Sequence, residues 1–248
     1  MKQFIRLFVF LWVMGILGAG SVSWADEITI VSDQYPPYND QPGSRAPGYA
    51  VEIVQRVFEK AGHQVVYKIV PWARAIMETR QGIYSAIIAA LPSDAPDFVF
   101  PGNEIGMAQY CFYTRKGDSW RYAGIPSLAG KKIGVVNAYS YTAELDAFFL
   151  DNPQAVGVGG GGAVEKNVKK LLSSRIDMFI ENATVVSFMD CQGHFMQKID
   201  QAGCDTREIG KLFIAFGPNN PKSQEYARIL SEGIDALRSS GELKELLL

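Results

Sequence analysis

The run GYAVEIVQRVFEKAG (48–62), HQVVYKIV (63–70), PWARAIMETRQG (71–82) and IYSAIIAALP (83–92) decides how the chain folds. Val51, Val54, Val57 and Phe58 recur at helical spacing, with Glu52, Gln55, Arg56, Glu59 and Lys60 off that face, so the first part predicts an amphipathic helix. Gly62 ends it as a C-terminal glycine does. Val65 to Val70 is rich in β-branched residues and predicts a strand. Pro71 opens a second helix, because a missing N–H costs nothing at the first helical position, and that helix stops near Gly82. Ala86 to Ala90 is apolar without alternation, as expected of a strand covered on both faces. Helix, strand, helix, strand with short joints predicts right-handed crossovers onto a mainly parallel sheet. Ligands of such sheets sit beyond the carboxyl ends of the strands, which puts Trp72, Arg74, Ala90 and Leu91 at a candidate mouth.

At the N-terminus, Lys2 and Arg6 lead into an apolar run from Leu7 to Ala19, and Ser23-Trp24-Ala25 offers small residues where a signal peptidase reads. Residues 1–25 are therefore expected to be a cleaved signal peptide, and the product an exported soluble chain starting at Asp26. The apolar run is shorter than the ~20 residues a membrane span needs. No cysteine near the exit site suggests a lipid anchor. Removing Lys2 and Arg6 takes the formal charge from −2 to −4, which points away from nucleic acid. Of Cys111, Cys191 and Cys204, the last two are near enough in sequence to bridge a local loop, with Cys111 a buried thiol. Zinc is the rival reading of these cysteines, but His63 and His194 lack paired spacing. No cofactor is expected.

Glu27 to Val31 reads as a first strand, followed by Ser32-Asp33-Gln34-Tyr35-Pro36-Pro37-Tyr38, whose prolines would hold Tyr35 and Tyr38 in fixed orientations. Met107 to Tyr113 reads as a strand leaving the first sheet, and the polar change at Arg115 to Tyr122 as a domain crossing. A second unit follows. Lys132 to Val136 is a strand, Asn137-Ala138-Tyr139-Ser140-Tyr141-Thr142 lies at its carboxyl end, and Ala143 to Leu150 is a helix whose exposed amides could hold an anion. The four glycines at 159–162 lack a following Gly-Lys-Ser/Thr, so a nucleotide loop is not indicated. Arg175 to Ile180 is a strand ending at Glu181-Asn182, and Cys191 to Cys204 a looped excursion. Ile209 to Phe216 returns to the first unit, and Gln224 to Arg238 is an amphipathic helix. The expected division is 26–112 with 213–248 as one lobe, and 113–212 as an inserted second lobe, with a paired hinge between them.

Taken in order, Asp33 with Tyr35-Pro36-Pro37-Tyr38, then Gly48 to Val54, Pro71-Trp72, Leu128 to Val135, Arg175-Ile176-Asp177, Ile214-Ala215-Phe216 and Ser240 to Leu243 give the chain a family character. It resembles the bacterial extracellular solute-binding proteins of family 3. That resemblance implies the type II periplasmic-binding-protein fold: two α/β lobes, joined by a two-strand hinge, that close on a small polar solute. It further implies a monomer that serves an inner-membrane ABC permease, or a sensor.

The resemblance also implies a ligand clamp, and here the chain departs. Family members that bind amino acids carry an arginine after the fourth strand for the ligand carboxylate, yet no Arg or Lys lies between Arg80 and Arg115. The acid that holds the ligand ammonium is matched by Asn182, beside Glu181, and a small Gly-Thr/Ser pair is replaced by Ala138-Tyr139-Ser140-Tyr141. Arg74 could replace the cation as a bidentate guanidinium, and Glu181 the acid. Tyr35, Tyr38, Trp72, Tyr139 and Tyr141 would then make an aromatic cleft for an apolar or cationic ligand portion. Two other readings stay open. One is a dehydratase-like enzyme using Glu181 as its acid, and the other a sensory domain whose cleft has decayed.

Overall fold

The computed structural model describes residues 25–159, 161–193 and 195–247. The expected signal peptide (save Ala25) and His194 lie outside the described residues. The chain runs β1 (Glu27–Ser32), α1 (Tyr49–Lys60), β2 (Gln64–Ile69), α2 (Trp72–Arg80), β3 (Ala86–Ala90) and β4 (Gly106–Ala108). It continues through β5 (Tyr110–Arg115), β6 (Ile133–Val136), α3 (Ala143–Leu150), β7 (Ala155–Val158), α4 (Ala163–Leu172), β8 (Met178–Asn182) and α5 (Ala183–Gly193). It closes with β9 (Ile199–Cys204), β10 (Gly210–Phe216), α6 (Ser223–Ser240) and α7 (Glu242–Leu246).

These strands form two five-stranded sheets, ordered β2-β1-β3-β10-β4 and β7-β6-β8-β5-β9. In each sheet the strands served by helical crossovers are parallel: β1 with β2 and β3, and β6 with β7 and β8. The strands nearest the crossings, β10 and β5, run antiparallel to their neighbours. Two mixed sheets flanked by helices thus make two lobes. The apolar face of α1 is buried, with Val51, Val54 and Phe58 fully enclosed, and it packs on α6. Gly233 permits that approach, since a Cβ there would run into Val57. All five residues of β3 are buried, as its unbroken apolar run requires.

The expectations for the strand at 107–113, the crossings and the disulfide need correction. The run Met107–Tyr113 is not one strand. Met107 belongs to β4 in the first sheet, whereas Tyr110 to Tyr113 belong to β5 and pair with β8 and β9 in the second. The chain therefore changes sheets around Gln109 and again between Cys204 and Gly210, a few residues before the expected 112/113 and 212/213. Residues 116–122 are no crossing: the Tyr122 N–H donates to the Ala202 carbonyl within the second lobe. The disulfide also differs. Cys111 of β5 lies directly opposite Cys204 of β9 and is bonded to it, while Cys191 is an exposed free thiol on α5. Nearness in sequence suggested Cys191–Cys204, but Ile199–Cys204 returns as an edge strand beside β5 instead of forming a loop.

Candidate functional site

At the carboxyl end of β1 the chain turns through Asp33, which is only 4% exposed. At the carboxyl end of β3, Asp94 accepts the Leu91 N–H on Oδ2 at 2.7 Å. From the second lobe, the loop after β6 comes down onto both. The Tyr139 hydroxyl donates to Asp33 Oδ2 at 2.9 Å, and the Ser140 N–H donates to Asp94 Oδ1 at 2.9 Å. The Tyr139 ring also meets Tyr35 and Trp72 edge-on, at 5.8 and 6.0 Å between ring centres. One short loop thus locks against two strand ends of the opposite lobe.

The backbone on both sides of this contact is strained. Ala89 in β3 and Ala138 just before Tyr139 have φ of 60° and 63°. A Cβ crowds the following carbonyl in that left-handed region, so each costs on the order of 1–3 kcal/mol and persists only where its surroundings hold it.

Between the lobes lies a cavity of about 20 Å³ whose walls include Asp33, Tyr35, Trp72, Asp94, Tyr110 and Tyr139. That is room for about one water molecule. On the other side of Tyr35 and Tyr139, a second cavity of about 10 Å³ reaches Glu181, which is 1% exposed. Tyr35 and Tyr139 form the shared wall between the two cavities.

The electrostatics are one-sided. Burial pushes the Asp33 carboxyl up to about 7, against the pull of the Tyr139 hydroxyl and with help from the charge of Asp94. Burial likewise raises Asp94 to about 6, although the Leu91 and Ser140 amides favour its charged form. Glu181 is raised to about 8, again chiefly by burial, with the Asn182 N–H opposing and Asp33 adding to the shift. The phenols of Tyr35, Tyr110, Tyr139 and Tyr141 are driven well above their ordinary value by burial. Among the described residues, no lysine, arginine or histidine lines either cavity. Nor do the described residues contain a group of three or more side chains suited to hold a metal ion. Two polar atoms on the walls are buried and unpaired: the Tyr35 hydroxyl and the Trp72 indole N–H.

Of the residues expected from sequence, Asp33, Tyr35, Trp72, Tyr139 and Ser140 line the first cavity and Glu181 the second. Others stand behind them. The Tyr38 hydroxyl donates to the Met107 carbonyl at 2.6 Å and accepts from Asn182 Nδ2 at 3.2 Å, which ties the lobes beside the crossing. The Tyr141 hydroxyl accepts the Val136 N–H at 2.9 Å and its ring packs on Tyr110. Ala90 is buried within β3, and Leu91 contributes its amide to Asp94. Arg74 is exposed on α2 and borders neither cavity, because Trp72 and Ala75 take the inward positions of that first turn. Sequence reasoning missed Asp94 and Tyr110. The signal for Asp94 was present: it lies in the stretch searched for a cation, with the opposite charge.

Comparison with known proteins agrees with this architecture. No curated relative matches the chain. Among solved structures, it is similar to the arginine-, lysine-, histidine-binding protein ArtJ of the thermophilic bacterium Geobacillus stearothermophilus, with a TM-score of 0.74 at 16% identity, over 89% of this chain and 93% of that one. A similar match, with a TM-score of 0.71 at 16% identity over 89% and 90% of the two chains, is an ABC uptake transporter substrate-binding protein of Streptococcus pneumoniae solved with bound histidine. A histidine kinase sensor domain described as similar to periplasmic binding proteins matches with a TM-score of 0.73 at 16% identity, over 89% and 93%. At such identities the likeness is one of fold. The family model of the bacterial extracellular solute-binding proteins, family 3, matches residues 28–248, and the chain belongs to that family.

Proposed function

We propose that this chain is a periplasmic receptor that captures a small polar solute by hinge closure and hands it to an inner-membrane ABC permease. The observation that carries this reading is a cavity walled from both lobes, with Tyr139 and Ser140 of one lobe bonded to Asp33 and Asp94 of the other. A solute bridging those walls makes contacts in the closed state that the open state cannot offer, so its binding shifts the equilibrium toward closure. We assign residues 26–108 and 210–248 to one lobe and 110–204 to the other, with the two sheet crossings as the hinge. The family and its neighbours in structure are binding proteins, which supports a role without turnover. A sensory role has one observation in its favour: the cleft closes on its own Tyr139, so a solute would act by displacing a contact already made.

The test is thermal unfolding of the purified chain against amino acids, amines, small carboxylates and short peptides, with each solute assayed for chemical change. A ligand bound only by the native state raises the midpoint in a concentration-dependent way. We expect such a rise with the solute recovered intact. Conversion of the solute would replace the receptor reading with an enzymatic one, and no rise across the panel would remove the receptor reading.

A further inference from the structure

We propose that the solute is a small organic amine bearing a neutral hydrogen-bond acceptor, and that the site rejects the corresponding amino acid because Asp94 already fills the place of a ligand carboxylate. The proposal rests on the solute-binding reading above and adds the chemical class.

The cleft supplies carboxylates from both lobes, Asp33 and Asp94 on one side and Glu181 on the other, and no cation among the described residues to balance them. None of the three belongs to an ion pair of the described residues. Unpaired buried carboxylates are costly, and a ligand cation relieves that cost where a second anion would add to it. The walls around them are aromatic. Tyr139 meets both Tyr35 and Trp72 edge-on in the wall of the cavity, and ring faces attract ammonium groups.

Asp94 carries the discrimination. The Leu91 amide follows β3 and the Ser140 amide stands just ahead of α3, and both N–H groups are positioned to hold an anion at the mouth. Asp94 occupies both, one oxygen for each, at 2.7 and 2.9 Å. A ligand carboxylate would arrive at donors already taken and beside a carboxylate, with Arg74 on the outer surface of α2. The acid cluster does not stand alone as evidence of a ligand. The Trp72 indole N–H is 95% buried with its residue, lines the cavity and has no acceptor. Leaving such a buried donor without an acceptor is unfavourable. A hydroxyl or carbonyl oxygen on the ligand would satisfy it, while the ammonium end faces Asp33.

Tyr139 shows where that end goes. Its hydroxyl already gives Asp33 the hydrogen bond a ligand N–H would give, and its ring separates the two small cavities. Withdrawal of that ring would remove part of the wall that separates the cavity at Asp94 from the one at Glu181.

The test is titration calorimetry of the full purified chain with matched pairs: ethanolamine against serine, 3-amino-1-propanol against homoserine, and propionate alone. We expect each amine to bind roughly tenfold or more tighter than its carboxylated counterpart, and propionate not to bind. Asp33→Asn should abolish amine binding. Asp94→Ala, which frees the two amides, should narrow or reverse the preference, and a gain of propionate or serine binding cannot come from a misfolded variant. Unliganded melting of each variant reports folding. Tighter binding of serine or propionate by the unaltered chain overturns the amine assignment and leaves the receptor reading standing. An unchanged preference in folded Asp94→Ala overturns the role of Asp94 and the proposal with it. No binding by any member, together with no rise in the broader thermal panel, removes both.

Discussion

Asp33, Asp94 and Glu181 titrate against burial, and the direction of their shifts has a measurable consequence. Their folded values of about 7, 6 and 8 lie above the ordinary values of 3.8 for Asp and 4.5 for Glu. Between those limits the folded chain holds more protons than the unfolded one, so stability falls as pH rises. The contribution is fully present below the unfolded values and is lost as pH climbs through the folded ones. Asp33 faces Tyr139 and Asp94, Asp94 faces Asp146, and Glu181 faces Asp33 and the phenols of Tyr35, Tyr110, Tyr139 and Tyr141. None of these is a cation that could reverse the sign. The expected outcome is a melting midpoint that declines from about pH 5 to above pH 8 without ligand, with the part of the decline near neutrality flattened in Asp33→Asn. Identical slopes in the two proteins would show that Asp33 does not hold its proton in the fold. The same titration makes an amine bind more strongly as pH rises, since the charged carboxylate is the form it needs.

At the scale of elements, what was legible in the sequence was what is local. The periodicity of Val51, Val54, Val57 and Phe58, the stop at Gly62 and the unalternating run Ala86–Ala90 place α1, β2, α2 and β3 to within a residue or two, because neighbouring residues suffice to set them. The break at Gln109 was not legible. The chain stays apolar on both sides of it and has no glycine or proline there, so nothing local tells that β4 and β5 belong to different sheets. β9 was hidden for a related reason: IDQAGC is an edge strand with little alternation, recognisable only by its pairing with β5. The cleft residues divide in the same way. Tyr35 and Trp72 were visible at strand ends, whereas Asp94 and Tyr110 take their meaning from the lobe opposite. The disulfide gives this scale its prediction. Cys111–Cys204 closes 93 residues of chain, for which the chain-entropy estimate is about 4–5 kcal/mol. Peptide mapping without reductant should recover a Cys111–Cys204 link. Cys111→Ser should lower stability by an amount of that order, while Cys191→Ser should leave it nearly unchanged. A recovered Cys191–Cys204 link would contradict the strand pairing itself.

For the whole molecule, closure depends on a small number of contacts that cross the cleft. Tyr139–Asp33, Ser140–Asp94 and Tyr38–Asn182 join the two lobes by hydrogen bonds. The last lies beside the first crossing, where Tyr38 also holds the Met107 carbonyl. The first two join the loop after β6 to the ends of β1 and β3, and opening of the cleft must break them. A hydrogen bond to a charged group contributes about 1.5–3 kcal/mol, so the Tyr139 hydroxyl alone can shift the closed-to-open ratio by roughly tenfold or more. Tyr139→Phe keeps the ring contacts with Tyr35 and Trp72 and removes only that bond, which makes it the selective probe. Solution scattering on the unliganded variant, at a pH above the Asp33 value of about 7 where the carboxylate is charged, should give a larger radius of gyration than the unaltered chain. A bound solute should bring both to the same compact value, because it replaces the missing donor to Asp33. Equal radii without ligand would mean that the aromatic packing alone holds the lobes together. The solute would then have to work against the rings of Tyr35, Trp72 and Tyr139, with no polar latch to displace.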